Sequence, residues 1–187
     1  MTAKAFDCVD HSILISKLRK IGVSGAFLKW IISYLSNRFQ AVKIRESLSF
    51  WFLTTSGVPQ GSNLGPLLFL LLINDITSCV KNSHLDIFAD DLRMYKSVVG
   101  FNDYIALQYD IDSIYQWSIQ NIIDLSIAKC KVMTIGREFS VHEYEYKINI
   151  IVLTRTYVIK DLGIVFDCEW KINHHIQFIT SKAFKLT

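Results

Sequence analysis

The chain has 187 residues, 51% of them hydrophobic and 20% charged, with only 8 glycines and 2 prolines. That length and composition allow one sizeable domain with a real core and exclude a long disordered or low-complexity chain. A net charge of +3 is compatible with a nucleic-acid partner without requiring one, and the longest apolar run, Leu67 to Ile73, is too short to cross a bilayer.

In chain order, Ile13, Leu14, Leu18 and Ile21 recur at helical spacing, so residues 11–21 are predicted to form a helix capped by Asp10 and stopped at Gly22. Ser24 can cap a second helix, whose stripe of Phe27, Trp30, Ile31, Tyr34 and Leu35 is expected to pack in the core. Two strands are expected near 40–45 and 50–55, turning around Glu46 and Ser47. The loop Ser56-Gly57-Val58-Pro59-Gln60-Gly61 then leads into an apolar helix from Leu64 to Cys79, in which Leu67 to Ile73 is expected to be buried.

A strand ending at Phe88, the pair Asp90-Asp91 and a second apolar stretch through Tyr95 read as a hairpin with acids at its tip. Residues 102–123 read as a helix with Leu107, Ile111, Ile114 and Ser118 on one side and Asp110 and Asp112 on the other. Short strands near 130–135, 145–153 and 157–166 and a helix over 170–186 complete the chain. The mixture of helices and antiparallel strands indicates an α+β fold rather than a doubly wound parallel sheet. Cys8, Cys79, Cys130 and Cys168 form no CxxC pair, and with no secretory leader they are expected to stay reduced inside a cell.

Asp90-Asp91 is the sharpest chemical feature. Adjacent carboxylates near Leu85, Ile87, Phe88, Leu92 and Met94 repel each other beside apolar surface, so either a proton is retained or a cation compensates. Hard oxygen ligands on a hairpin suit Mg²⁺, which takes one or two carboxylates plus substrate phosphates. A solvated turn explains the pair equally simply. In the loop before residue 64, Gly57 and Gly61 permit close backbone approach and Gln60 offers both a donor and an acceptor. Many Gly/Pro loops preceding helices do no more than turn the chain.

Three segments taken together carry a resemblance: Lys4-Ala5-Phe6-Asp7 with Val9-Asp10-His11, the stretch from Ser56 through Gly61 to Gly65-Pro66-Leu67-Leu68-Phe69, and Phe88-Ala89-Asp90-Asp91. In this order they resemble polymerase motifs A, B and C of the reverse transcriptases of non-LTR, LINE-type, jockey-like retrotransposons. Trp117, Asn121 and Lys129-Cys130-Lys131 are similar to motif D, and Lys160-Asp161-Leu162-Gly163 to the motif E region. The resemblance implies an α+β polymerase palm, an antiparallel sheet backed by helices, over residues 1–168. Residues 169–187 would begin a thumb, with the fingers missing.

It also implies roles. Asp90 and Asp91 would be the metal carboxylates of a two-Mg²⁺ site. Phe6 would lie under the incoming sugar, Gln60 and Gly61 would touch nucleotide and template, and Lys129 would protonate the leaving pyrophosphate. The implied reaction is attack of a primer 3′-hydroxyl on the α-phosphate of a dNTP. The implied partners are an RNA template, a DNA primer and dNTP, in an intracellular setting without a membrane. Oligomeric state is not implied.

One position departs from the pattern. The family's metal-binding Asp stands five residues before the motif A aromatic, and here that position is Met1, whose thioether is a poor Mg²⁺ ligand. Asp7, past the aromatic, matches the second acid of the motif. The expectation is therefore an RNA-directed DNA polymerase palm that is inactive as this polypeptide alone. The alternatives are a non-catalytic palm remnant that binds RNA or protein, and a metal nuclease in which Asp90 and Asp91 recruit further ligands such as His174-His175.

Overall fold

A computed structural model describes residues 6–136 and 144–184 of the chain. The chain divides into two compact units, Met1–Ser126 and Ile127–Thr187. Its helices and two-stranded, mostly antiparallel sheets make it an α+β protein.

The first unit opens with α1 (His11–Lys20), and Asp10 caps it by accepting a hydrogen bond from the Ile13 amide at 2.9 Å. Gly22, at φ +94°, ends it, and the Val23 amide turns back to the Leu18 carbonyl at 3.0 Å. Leu14 and Leu18 face inward, each fully buried and each contributing about 1.5–3 kcal/mol of apolar burial. Helix α2 (Gly25–Leu35) follows, and Ser24 precedes it without a side-chain cap bond.

The buried face of α2 matches the expected stripe at Ile31 and Leu35 but not at Phe27 and Trp30. Leu28, Ile31 and Leu35 are in the core, while Phe27 and Trp30 are more than half exposed. Both faces of α2 are apolar, so periodicity alone could not choose between them. The exposed rings instead satisfy one another, Phe27 stacking on Trp30 at 6.0 Å and Trp30 on Tyr34 at 5.9 Å.

The expected pair of strands is a ribbon of shorter pieces. Strand β1 (Arg38–Gln40) pairs antiparallel with β4 (Phe52–Thr54), and β2 (Lys43–Ile44) pairs with β3 (Ser47–Leu48) around Arg45 and Glu46. Helix α3 covers Leu64–Ile73 and passes directly into a 3₁₀ helix over Asn74–Cys79 rather than running on as one α-helix. There the Thr77 hydroxyl donates to the Asn74 carbonyl and the Ser78 hydroxyl to the Asp75 carbonyl, bonds that compete with the α-helical ladder. Within α3, Leu68, Phe69, Leu72 and Ile73 are buried, but Leu67 and Leu70 are about half exposed.

Strands β5 (His84–Phe88) and β6 (Asp91–Tyr95) form an antiparallel hairpin, and α4 (Phe101–Gln120) closes the unit. One core cluster joins Val9, α1, α2, Val58, α3, Ile114 and Trp117 of α4, and Ile123. The half-buried face of the hairpin (Leu85, Ile87, Leu92 and Met94) packs against it, as does Phe6.

In the second unit, a 3₁₀ turn at Ile127–Lys129 precedes β7 (Lys131–Val132). Strand β8 (Lys147–Ile148) pairs with β9 (Ile151–Val152). Strand β10 (Thr154–Arg155) pairs with β7 in parallel, a departure from the antiparallel expectation that the remoteness of the two strands in sequence conceals. Strands β11 (Val158–Asp161) and β12 (Ile164–Asp167) form a hairpin whose turn, Leu162-Gly163, has positive φ at both residues, as a tight two-residue connection requires. Helix α5 (Asn173–Phe184) follows, and the Lys160 ammonium lies over the Phe178 ring at 4.8 Å.

Candidate active site

Two of the three motif segments meet in the first unit, and the inward face of the third packs against the same core cluster. The chain around Phe6–His11 is bound backbone to backbone to the Gly57 loop: the Gly57 amide donates to the Val9 carbonyl and the Val58 amide to the Phe6 carbonyl, both at 2.8 Å. Side chains reinforce the joint. The Ser56 hydroxyl donates to the Asp7 carbonyl at 2.9 Å, and His11 Nε2 bonds the Gly57 carbonyl at 2.8 Å. The Gln60 amide donates to the Asp7 carboxylate at 2.8 Å. That hydrogen bond is solvent-exposed, so this pair lies at the surface rather than in the core.

Glycine is required in this joint. A Cβ on Gly57 would fall 2.9 Å from the Asp7 Cα and carbonyl oxygen, at a backbone φ of +82°. Phe6 is half-buried, its ring 4.8 Å from that of Phe69 on α3. Gly61, at φ +77°, turns the chain, and Ser62 then starts α3 by accepting from the Gly65 amide at 3.0 Å.

The hairpin supplies the acids. Phe88 and Asp91 are the last facing pair, so the apex is Ala89-Asp90, with Ala89 at φ +50°. The strict alternation of the strands turns Leu85, Ile87, Leu92 and Met94 to the core and His84, Asp86, Phe88, Asp91, Arg93 and Tyr95 outward. The two carboxylates therefore occupy different positions, Asp90 in the turn itself and Asp91 exposed at the start of β6. Behind Asp91 on the same face, Asp86 faces Arg93, and His84 stacks on Tyr95 at 5.2 Å.

Asp90 and Asp91 are hard oxygen donors of the kind that Mg²⁺ takes together with water and substrate phosphate. Among the described residues no group of three or more His, Cys, Asp or Glu side chains could hold a metal, so His174 and His175 do not join an acidic cluster there. Met1 lies outside the described residues. Lys129 is exposed on the 3₁₀ turn of the second unit.

A further carboxylate supports this region from behind. Asp110 of α4, which the sequence reading puts on the outer side of its helix, is fully buried. Its oxygens accept from the Lys81 amide (3.1 Å), the Asn82 amide (2.8 Å) and side chain (3.0 Å), and the Ser83 hydroxyl (2.7 Å). Burial pushes this carboxyl up, but the bonds from Ser83, Lys81 and Asn82 together outweigh it and hold it below the usual aspartate value. Spacing carried the signal: Asp110, Ile114, Trp117 and Asn121 recur at helical intervals, and all four are buried.

Comparison with known proteins agrees with these motifs. The family model described as reverse transcriptase (RNA-dependent DNA polymerase) matches residues 2–166. The chain is similar to a probable RNA-directed DNA polymerase from transposon BS of Drosophila melanogaster, 28% identical over 97% of this chain and 21% of that protein. It is likewise 28% identical to the RNA-directed DNA polymerase from mobile element jockey of Drosophila funebris, over 92% of this chain and 20% of the relative. A probable RNA-directed DNA polymerase from transposon X-element of Drosophila melanogaster is 37% identical over 48% of this chain and 10% of that protein. The chain spans about a fifth of the length of the first two relatives.

Proposed function

This chain belongs to the reverse transcriptase (RNA-dependent DNA polymerase) family, as a member of the non-LTR retrotransposon type, and from that premise we propose that it is the palm of an RNA-directed DNA polymerase. On this reading the palm covers residues 1–168, and residues 169–187 begin the thumb. The observation that carries the reading is the shared core: the inward face of the Asp90-Asp91 hairpin and the ring of Phe6 pack against one cluster, and the Gly57–Gln60 loop is hydrogen-bonded to the Phe6 segment. Of the residues that the motifs nominate in the first unit, Phe6 packs on that core, while Gln60, Gly61 and Asp91 are exposed.

Asp90 and Asp91 would hold the Mg²⁺ ions, which when bound supply charge stabilisation at the reacting phosphate. Phe6, backed by Phe69, offers a fixed apolar surface for the sugar of an incoming dNTP. Gln60 and Gly61 would meet nucleotide and template. Lys129 is the proposed acid for the departing pyrophosphate. RNA template and DNA primer are the macromolecular partners.

We further propose that the polypeptide of residues 1–187 does not polymerise by itself. Its residue at the motif A metal position is Met1, and the carboxylate of Asp7 already accepts from Gln60. Primer extension on an RNA template with Mg²⁺ and dNTPs tests both statements. No incorporation by this polypeptide is the expected result. Incorporation by residues 1–187 that is lost on Asp90→Ala would overturn the inactivity but keep the polymerase assignment. Incorporation indifferent to Asp90→Ala and Asp91→Ala would sink the metal-centre reading.

A further inference from the structure

The hairpin must hold its two acids at one height, and its contacts with the core cannot do that alone. Leu85, Ile87, Leu92 and Met94 fix which face points inward, but apolar contact is non-directional and lets a strand slide along its own axis. Hydrogen bonds are directional and resist sliding. Hydrogen bonds that tie the hairpin to α4 lie at its open end.

There Asp110 accepts four hydrogen bonds, all from residues 81–83 immediately before β5. A second tie joins the other strand: the Lys96 ammonium, just past β6, donates to the Asn82 carbonyl at 3.0 Å and pairs with Asp103 of α4 at 3.4 Å. Asp103 is itself fixed by the Val99 and Gly100 amides at 2.9 and 3.1 Å. Both open ends are thus tied to α4. With a strand rise of about 3.3 Å per residue, a tilt of a few degrees at that base moves the apex by about 1 Å. An error of that size can cost about a hundredfold in a reaction that needs close alignment.

We infer that Asp110 is a positioning residue for the acid-bearing hairpin: by clamping residues 81–83 to α4 it sets where β5 begins and how far Asp90 and Asp91 project. The inference rests on the reading of Asp90 and Asp91 as the metal carboxylates. Asp110 touches neither substrate nor metal in this scheme. It acts through the length of the hairpin.

The test uses the full 187-residue chain and Mn²⁺, an octahedral oxygen-seeking stand-in for Mg²⁺. Two readouts are taken: Mn²⁺ affinity by water-proton relaxation, and amide hydrogen exchange along residues 84–95 and α1. Asp110→Ala should weaken Mn²⁺ binding by about 10–100-fold, the range for residues that orient metal ligands. It should also speed exchange in the hairpin at least about tenfold while α1 keeps its protection. Ser83→Ala, which removes one of the four bonds, should weaken Mn²⁺ binding several-fold and decides the matter if Asp110→Ala does not fold. If Asp90→Ala abolishes binding while Asp110→Ala or Ser83→Ala leaves affinity and exchange unchanged, the inference falls and the metal reading stands. If Asp90→Ala itself leaves Mn²⁺ binding untouched, the metal reading falls and this inference with it.

Discussion

At Gly57 the close approach of Asp7 and Phe6 and the positive φ are separate obstacles to any side chain. A positive φ alone costs an L-residue about 1–2 kcal/mol. The contact adds to this, because the atoms in the way belong to backbone and cannot rotate aside. Gly57→Ala should therefore destabilise the chain by about 2 kcal/mol or more in urea unfolding. Gly61→Ala, at a similar φ but with nothing within 4 Å of the new Cβ, should cost about half as much. Equal losses at the two positions would mean that the joint between the Phe6 segment and the loop has slack. The sequence marks both glycines but cannot rank them, because the difference lies in what stands opposite each. Asp110 is half hidden for a related reason: helical spacing marks its position as buried, but the amides and hydroxyl it serves lie 27 to 29 residues away.

Among the elements, the β5–β6 hairpin is the most legible and α2 the least. Alternation of apolar and polar residues along β5 and β6 is enough to assign their two faces, and the turn falls where the acids predict it. Its one irregularity is Ala89 at φ +50°, a conformation that glycine adopts freely and a β-branched residue adopts poorly. Ala89→Gly should leave stability unchanged or raise it by up to about 1 kcal/mol, as relief of strain offsets the greater freedom of glycine in the unfolded chain. Ala89→Val should lower it by about 1–2 kcal/mol, and a thermal or urea melt of the two variants gives the order directly. Helix α2 offers apolar residues on two adjacent faces, so its period is visible in the residues and its orientation is not. The capped helix α1 needs no such choice, since only one of its faces is apolar.

At the level of the whole molecule, the cap of α1, the acid hairpin and the motif order are all open to reading from residues alone. The pairing of β7 with β10 is not, because parallel partners so far apart leave no local mark. Nor is the knot at Lys17, whose ammonium meets the Leu72 carbonyl, the Asp75 carboxylate and the face of Trp117, while the Trp117 indole also donates to Asp75. That knot ties α1, α3 with its 3₁₀ extension, and α4 together. The ribbon over residues 38–54 contrasts with it, since Phe39, Ile44, Leu48, Phe50, Trp51 and Phe52 are all substantially exposed. An apolar surface of this kind favours association. The 187-residue polypeptide should therefore run as concentration-dependent oligomers in light scattering, and Phe50→Ser with Trp51→Ser should shift it toward monomer. A monodisperse wild-type monomer at high concentration would contradict this.

The two-residue apex also governs which small genetic lesions the segment can absorb. If the tight two-residue turn is kept, slipping one codon in frame between Ala89 and Asp90 would offset β6 by a single position against its partner. Leu92 and Met94 would then swing to water while Arg93 swung inward. The same extra codon between Arg45 and Glu46 would disturb strands that face solvent on both sides, where neither side is the wrong one. In copies of such an element that are still selected to fold, length variation should accumulate at the second turn long before it touches the first.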